Sequence, residues 1–230
     1  MVTSDVRNSG DESGVDSRTL LFVCVANVCR SPALAFRTRR GLLGVGLATD
    51  WSFVSAGSRA LRGERMCPSS ATALSGVTGG ADFAEAHRSR PLDAALVKQA
   101  ALILVTSRAE QAVVARLAPT ARSRTFTMIE AAALAEHAAS ASATRLTAEG
   151  PAGGVRSLVA VLHRGRGLVD LGKPAPRSKV WSPGRRRSTS VDIADAHTSD
   201  SHGHRAVLAD VSWASERFSR SVGLLMGATE

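Results

Sequence analysis

The stretch from Thr19 to Val25 constrains this chain more than any other. It is apolar on both alternate sets of residues, the pattern of a strand covered on both faces within a parallel sheet. Asn27 follows at once, and Pro32 then leads an Ala/Leu/Arg segment that reads as a helix. The chain must therefore leave a buried strand, turn sharply within a few residues and enter a helix. Ser52 to Ser55, Ala101 to Val105 and Arg124 to Thr127 supply three further strand candidates. Helical patterns at Pro68 to Leu74, Pro91 to Ala100, Arg108 to Leu117 and Ile129 to His137 alternate with them. The expected fold is α/β, a four-stranded parallel sheet with helices on both faces and right-handed connections.

At 230 residues with 44% apolar content the chain can bury one sizeable core. Residues 1–18 are polar and rich in Ser, Gly and Asp, without a basic start or an apolar stretch, and read as a disordered tail rather than a signal peptide. The domain is expected over 19–230. Within it, 138–190 is rich in Ala, Gly, Pro, Ser and Arg and reads as a flexible insertion, with one helical segment at Val155 to His163. Val207, Val211, Ala214, Phe218, Val222 and Leu225 recur at helical spacing and should pack on the sheet.

The longest apolar run, Leu20 to Ala26, is too short to span a bilayer, so a cytoplasmic protein with no membrane partner is expected. The net charge of +9 invites a nucleic-acid reading, but the densest cluster, Arg185 to Arg187, lies in a Pro/Gly/Ser-rich stretch without interleaved aromatics. A solvated loop is the better reading, and nucleic acid is not an expected partner. Three cysteines, with no Cys-x-x-Cys pair, do not make a disulfide framework. The histidines at 197, 202 and 204 stand in a polar stretch with no cysteines beside them in sequence, so no metal site is expected.

The chemistry concentrates at Cys24-Val25-Ala26-Asn27-Val28-Cys29-Arg30-Ser31-Pro32. A loop between a strand end and a helix start can converge its backbone N–H groups on one point, which suits a phosphate dianion. The same field, with Arg30, favours thiolate over thiol at Cys24. The planar fork of Arg30 can hold two phosphoryl oxygens, and the Ser31 hydroxyl can donate to the sulfur.

This stretch, preceded by Leu20 to Val23, resembles the signature of the low-molecular-weight protein tyrosine phosphatases, a strand followed by C-x-G-N-x-C-R-S-P, with Ala26 in place of the Gly. Val54-Ser55-Ala56-Gly57 resembles the family's S-A-G element, Ala86-His87-Arg88-Ser89-Arg90 its A-H-x-A-R element, and Leu102 to Pro119 its third strand and following helix. The resemblance implies a cysteine-dependent phosphatase that passes through a phosphocysteine and needs neither cofactor nor metal. Its partner would be a phosphorylated protein or a small phosphate ester. It also implies a supporting network of Ser55, His87, Asn27 and Ser31. Cys29 lies near Cys24 in sequence, and either a reversible disulfide between them on oxidation or a plain structural role suits it.

The family's acid lies in a late D-P motif, and Asp195 in Val191 to His197 matches it best, with Asp192 as the other candidate. Ala194 and Ala196 stand where relatives carry prolines, so the loop loses stiffness. His197 stands where relatives carry an aromatic wall. Two rivals share the residues: an arsenate reductase of the same fold completed by an external thiol, and a degenerate loop that binds phosphate without turnover. An internal cysteine relay would need two cysteines downstream, and Cys67 is the one present.

Overall fold

The computed structural model describes residues 16–47, 49–141, 150–169, 191–197 and 203–227. Four strands, β1 (Asp16–Cys24), β2 (Ser52–Gly57), β3 (Ala100–Val105) and β4 (Thr125–Thr127), form one sheet in the order β2-β1-β3-β4 with every pairing parallel. The expected α/β sheet is present. β1 starts at Asp16, so the strand takes in the last three residues assigned to the tail by composition; 1–15 lie outside the described residues.

Alternation along the strands builds two cores. Leu20, Phe22, Leu102 and Leu104 face one side, where α1 (Arg30–Gly44), α6 (Met128–Ser140), α7 (Gly150–Gly165) and α8 (His204–Leu225) cover them. Leu21, Val23, Ile103 and Val105 face the other, covered by α4 (Ala94–Gln99) and α5 (Arg108–Leu117). Both faces of β1 are thus dry, which is why that segment can be apolar throughout. The order β2-β1-β3 means that successive connections leave β1 in opposite directions, which opens a crevice beyond its carboxyl end.

Local signals set the helix starts. Asp93 and Ser107 accept from the backbone N–H groups of Leu96 and Ala109 at the heads of α4 and α5. Thr127 and Glu130 form a reciprocal capping box at α6. α2 (Pro68–Ser75) starts on a proline. α3 (Gly80–Ala86) has no counterpart in the sequence reading. Its glycine pair suggests a break, but Gly79 adopts φ 75° as the turn before the helix, and a Cβ on Gly80 would strike the Leu74 carbonyl oxygen at 2.0 Å.

Composition sets 138–190 apart from the domain, and the described part of that stretch behaves otherwise. α6 continues to Ser140, and α7 lays Val155, Leu158 and Leu162 into the main core. Arg166, just past α7, reaches Glu130 at 2.9 Å, places its guanidinium 4.0 Å from the centre of the Phe126 ring and donates to the Thr125 carbonyl. Residues 142–149 and 170–190 lie outside the described residues. No described helix is long and apolar enough to cross a membrane. If α7 is an integral layer, Leu158→Ala should lower the stability read by urea denaturation by about 2–5 kcal/mol. An unchanged midpoint would show α7 to be peripheral.

Candidate active site

Residues 25–29 carry the chain from β1 to α1 beyond the carboxyl end of the sheet. The reversal needs one residue in the left-handed region, and Asn27, at φ 56°, is the one non-glycine residue with positive φ among those described. Asn tolerates this conformation better than most side chains. Ala26 keeps a negative φ, so replacing glycine there costs no backbone strain.

Asn27 is also the hub of the site. Its Oδ1 accepts from the Arg90 backbone N–H at 2.9 Å, which fixes the amide orientation and leaves Nδ2 with two protons to give. They go to Ser31 Oγ at 3.0 Å and Ser55 Oγ at 2.9 Å. The Ser31 hydroxyl, already an acceptor, has one proton to direct, and Cys24 Sγ at 3.0 Å lies nearer than the Ala56 carbonyl oxygen at 3.3 Å. The Asn27 N–H points at the same sulfur from 3.3 Å. His87 Nε2 lies 2.7 Å from the Asn27 carbonyl oxygen and must donate to it, so the proton of the neutral ring is on Nε2. The four residues of the expected network, Ser55, His87, Asn27 and Ser31, therefore meet. Arg90 is a fifth member that sequence reasoning did not assign a role: its Nε also donates to the Ser55 carbonyl at 2.8 Å. Its place at the end of the 86–90 element was the available signal.

Close packing of β2 against the loop depends on Gly57, where a Cβ would meet the Val25 carbonyl oxygen at 2.6 Å and the Asn27 nitrogen at 2.8 Å. Ser58 and Arg59 then donate their N–H groups to the carbonyls of Cys24 and Val25.

The two late carboxylates separate cleanly. Asp195 Oδ2 lies 2.5 Å from Arg30 Nη2, and Arg30 Nη1 donates to the Ile193 carbonyl at 3.1 Å. Asp192 instead accepts from the Arg108 backbone N–H at 2.9 Å, at the head of α5. The Ile193 N–H donates to the Thr106 carbonyl just past β3, so the 191–197 segment is pinned to the sheet on both sides of Ile193. Nothing local in the sequence marks these contacts, which join residues more than eighty positions apart.

The His197 ring packs edge-on against His204, with centroids 4.5 Å apart, and meets the Cys67 thiol. Cys29 and Cys67, far away in sequence, come to His197 and His204 in space. All three thiols are free. Cys29 donates to Cys67, which lies at the head of α2, and this bond is the chief reason that the Cys67 thiol sits well below its ordinary range and Cys29 well above it.

A family model for low molecular weight phosphotyrosine protein phosphatases matches residues 19–140, just over half of the chain. The match stops short of the 191–197 segment. A probable low molecular weight protein-tyrosine-phosphatase, EpsP of Ralstonia solanacearum, is 38% identical over 94 residues, which are 41% of this chain and 59% of that protein. The match thus spans less than two thirds of the curated relative. Two solved structures share the fold: the tyrosine phosphatase Wzb of Escherichia coli K30 in complex with phosphate (TM-score 0.53, 18% identity, 88% of this chain and 96% of that one) and YfkJ of Bacillus subtilis (TM-score 0.56, 14% identity, 89% and 93%).

The His87 hydrogen bond has a pH consequence. Burial first, then Arg88 and Arg90, hold the imidazole below its usual range, against the pull of the Asn27 carbonyl. A folded value below the unfolded one means that the neutral ring stabilises the fold above about pH 6.5, and that this contribution is lost as pH falls below it. The urea midpoint should therefore drop between about pH 7 and pH 5, and drop less in His87→Gln, which keeps an N–H donor that cannot titrate. Equal slopes for the two proteins would rule this out. With the loop, its network and the family match in agreement, the chain belongs to the low molecular weight phosphotyrosine protein phosphatase family.

Proposed function

We propose that this protein hydrolyses phosphate monoesters, foremost phosphotyrosine in proteins, through a phosphocysteine on Cys24. The observation that carries the reading is the convergence of three groups. Cys24 Sγ receives the Asn27 N–H and the Ser31 hydroxyl, Arg30 is buried at the head of α1 six residues on, and Asp195 pairs with Arg30. A nucleophile, an oxyanion clamp and a proton donor are what an in-line phosphoryl transfer without metal requires.

In the first step the Cys24 thiolate attacks phosphorus while the bond to the ester oxygen breaks. The amides of residues 25–30 and the fork of Arg30 take up the negative charge of the equatorial oxygens. Arg30 has to turn part of its fork from Asp195 to the phosphoryl group, and the released carboxylate takes up a proton from solvent and passes it to the leaving oxygen. In the second step Asp195 takes a proton from the attacking water, phosphate departs, and the Ser31 hydroxyl stabilises the returning thiolate. Asp192, committed to the backbone of α5, is left with a positioning role for the segment that carries Asp195.

Cys24→Ser should abolish turnover while leaving phosphate binding and the circular dichroism spectrum intact, since the hydroxyl is nearly isosteric but a far weaker nucleophile; retained turnover would remove Cys24 from its role. Arg30→Lys should be severely impaired, because a point charge cannot replace the bidentate fork.

Asp195→Asn should lower kcat on phosphotyrosine peptides by about 10²–10⁴ and by much less on an activated aryl phosphate. Asp192→Asn should have a mild effect on both substrates. The opposite ranking would transfer the acid role to Asp192. Phosphate binding without turnover of either ester by the wild type would favour a degenerate binder, and thiol-dependent turnover of arsenate in its place would favour a reductase.

A further inference from the structure

Cys29, Cys67, His197 and His204 come from four separate places in the chain. Cys29 ends the loop before α1, Cys67 caps α2, His197 lies two residues past Asp195, and His204 opens α8. Their sulfur and nitrogen atoms all lie within 4.8 Å of one another. We propose that these four side chains form a tetrahedral binding site for a divalent transition-metal ion, zinc by preference, that fastens the Asp195 segment to the Cys24 loop.

The donor set is two thiols and two imidazoles, the soft and borderline ligands that select zinc over magnesium or calcium. The geometry is close to what the ion needs. With bonds of about 2.3 Å to sulfur and 2.0–2.1 Å to nitrogen, a tetrahedron has edges of about 3.8 Å between sulfurs and about 3.3 Å between nitrogens. The Nε2 atoms of His197 and His204 already stand 3.3 Å apart, with ring planes at 84°. As a mere hydrogen bond between two partly exposed imidazoles this contact would gain little; as one edge of a coordination tetrahedron it has the right length. Both thiols are buried, with Leu208, Val28 and Ala73 packed around them, so the sulfur side is dry while the imidazole side opens to solvent as an entry path.

An outer layer of hydrogen bonds holds the sulfur ligands. The Ser70 hydroxyl donates to the Cys29 carbonyl at 3.1 Å, the Ser70 N–H donates to the Cys67 carbonyl at 3.0 Å, and the Cys67 N–H donates to the Val28 carbonyl at 2.8 Å. Binding would release the thiol protons to solvent, giving two thiolates, two neutral imidazoles and one dication. The filled site carries no net charge, so it leaves the field at the neighbouring Arg30 largely as it was. It would also hold Cys29 away from Cys24. Ala194 and Ala196 leave the Asp195 segment without proline stiffening, and a metal bond at His197 would supply that restraint from the far end.

This inference does not depend on the phosphatase reading, and its test reads metal rather than turnover. The full-length reduced apoprotein is titrated with Co²⁺ as a spectroscopic stand-in. The expected result is saturation at one equivalent, with intense d–d bands of a tetrahedral ion and thiolate-to-cobalt charge transfer, both erased by stoichiometric Zn²⁺. Cys67→Ser should lose about half of the charge-transfer intensity, and it and His204→Ala should each weaken binding at least about tenfold. His204→Ala, at the exposed edge, serves as the second variant where Cys67→Ser fails to fold. A weak octahedral spectrum, the absence of a one-equivalent endpoint, or unchanged affinity in His204→Ala would overturn the proposal.

Discussion

The site depends on the left-handed conformation of Asn27. β1 is sealed between two parallel neighbours and under helices on both faces, so its chain can leave only at the carboxyl end and must turn within five residues into α1. A positive φ at Asn27 makes that turn, and the side chain then joins the three segments that surround it. One amide group bonds to Ser31 at the start of α1, Ser55 on β2 and the backbone of Arg90, while its carbonyl binds His87. Removing the side chain would leave a strained loop and several buried polar groups unpaired at once, a larger loss than any single hydrogen bond.

What was legible in the sequence was local. β1 and β3 announced themselves because the central strands of a parallel sheet buried on both faces demand uninterrupted apolar runs, and the loop because a cysteine, an asparagine and an arginine lie within seven residues. The helical spacing of Val155 to His163 was legible, but its place in the core was not, because Gly, Ala, Pro and Arg around it imitate a linker while Val155, Leu158 and Leu162 fill the core. α3 went unseen because a glycine pair usually ends an element, whereas here it permits one to start.

Contacts across the chain were not legible. Asp192 and Asp195 sit three residues apart in a polar stretch, and nothing in their neighbours says that one caps α5 while the other pairs with Arg30. The cysteine and histidine cluster escaped for the same reason. Its four members are spread over more than 170 residues with none of the short spacings by which metal sites are read, and the fold alone brings them together.

The segment that carries Asp195 shows how a loop without prolines can still be placed. It is tied at three points. Asp192 caps α5, the Ile193 N–H is held by Thr106 past β3, and the Ile193 carbonyl is held by Arg30. Two of these ties, to the head of α5 and to the end of β3, do not involve Arg30. The third, together with the Arg30–Asp195 pair, involves the guanidinium that an anion would claim. An anion at Arg30 would therefore trade one anchor of the segment for another partner, leaving the Asp195 carboxylate with the His197 N–H at 3.0 Å. Beyond Asp195 the next fixed point is His197, so whatever holds that ring beside Cys67 and His204 decides how far Asp195 can swing when Arg30 lets go.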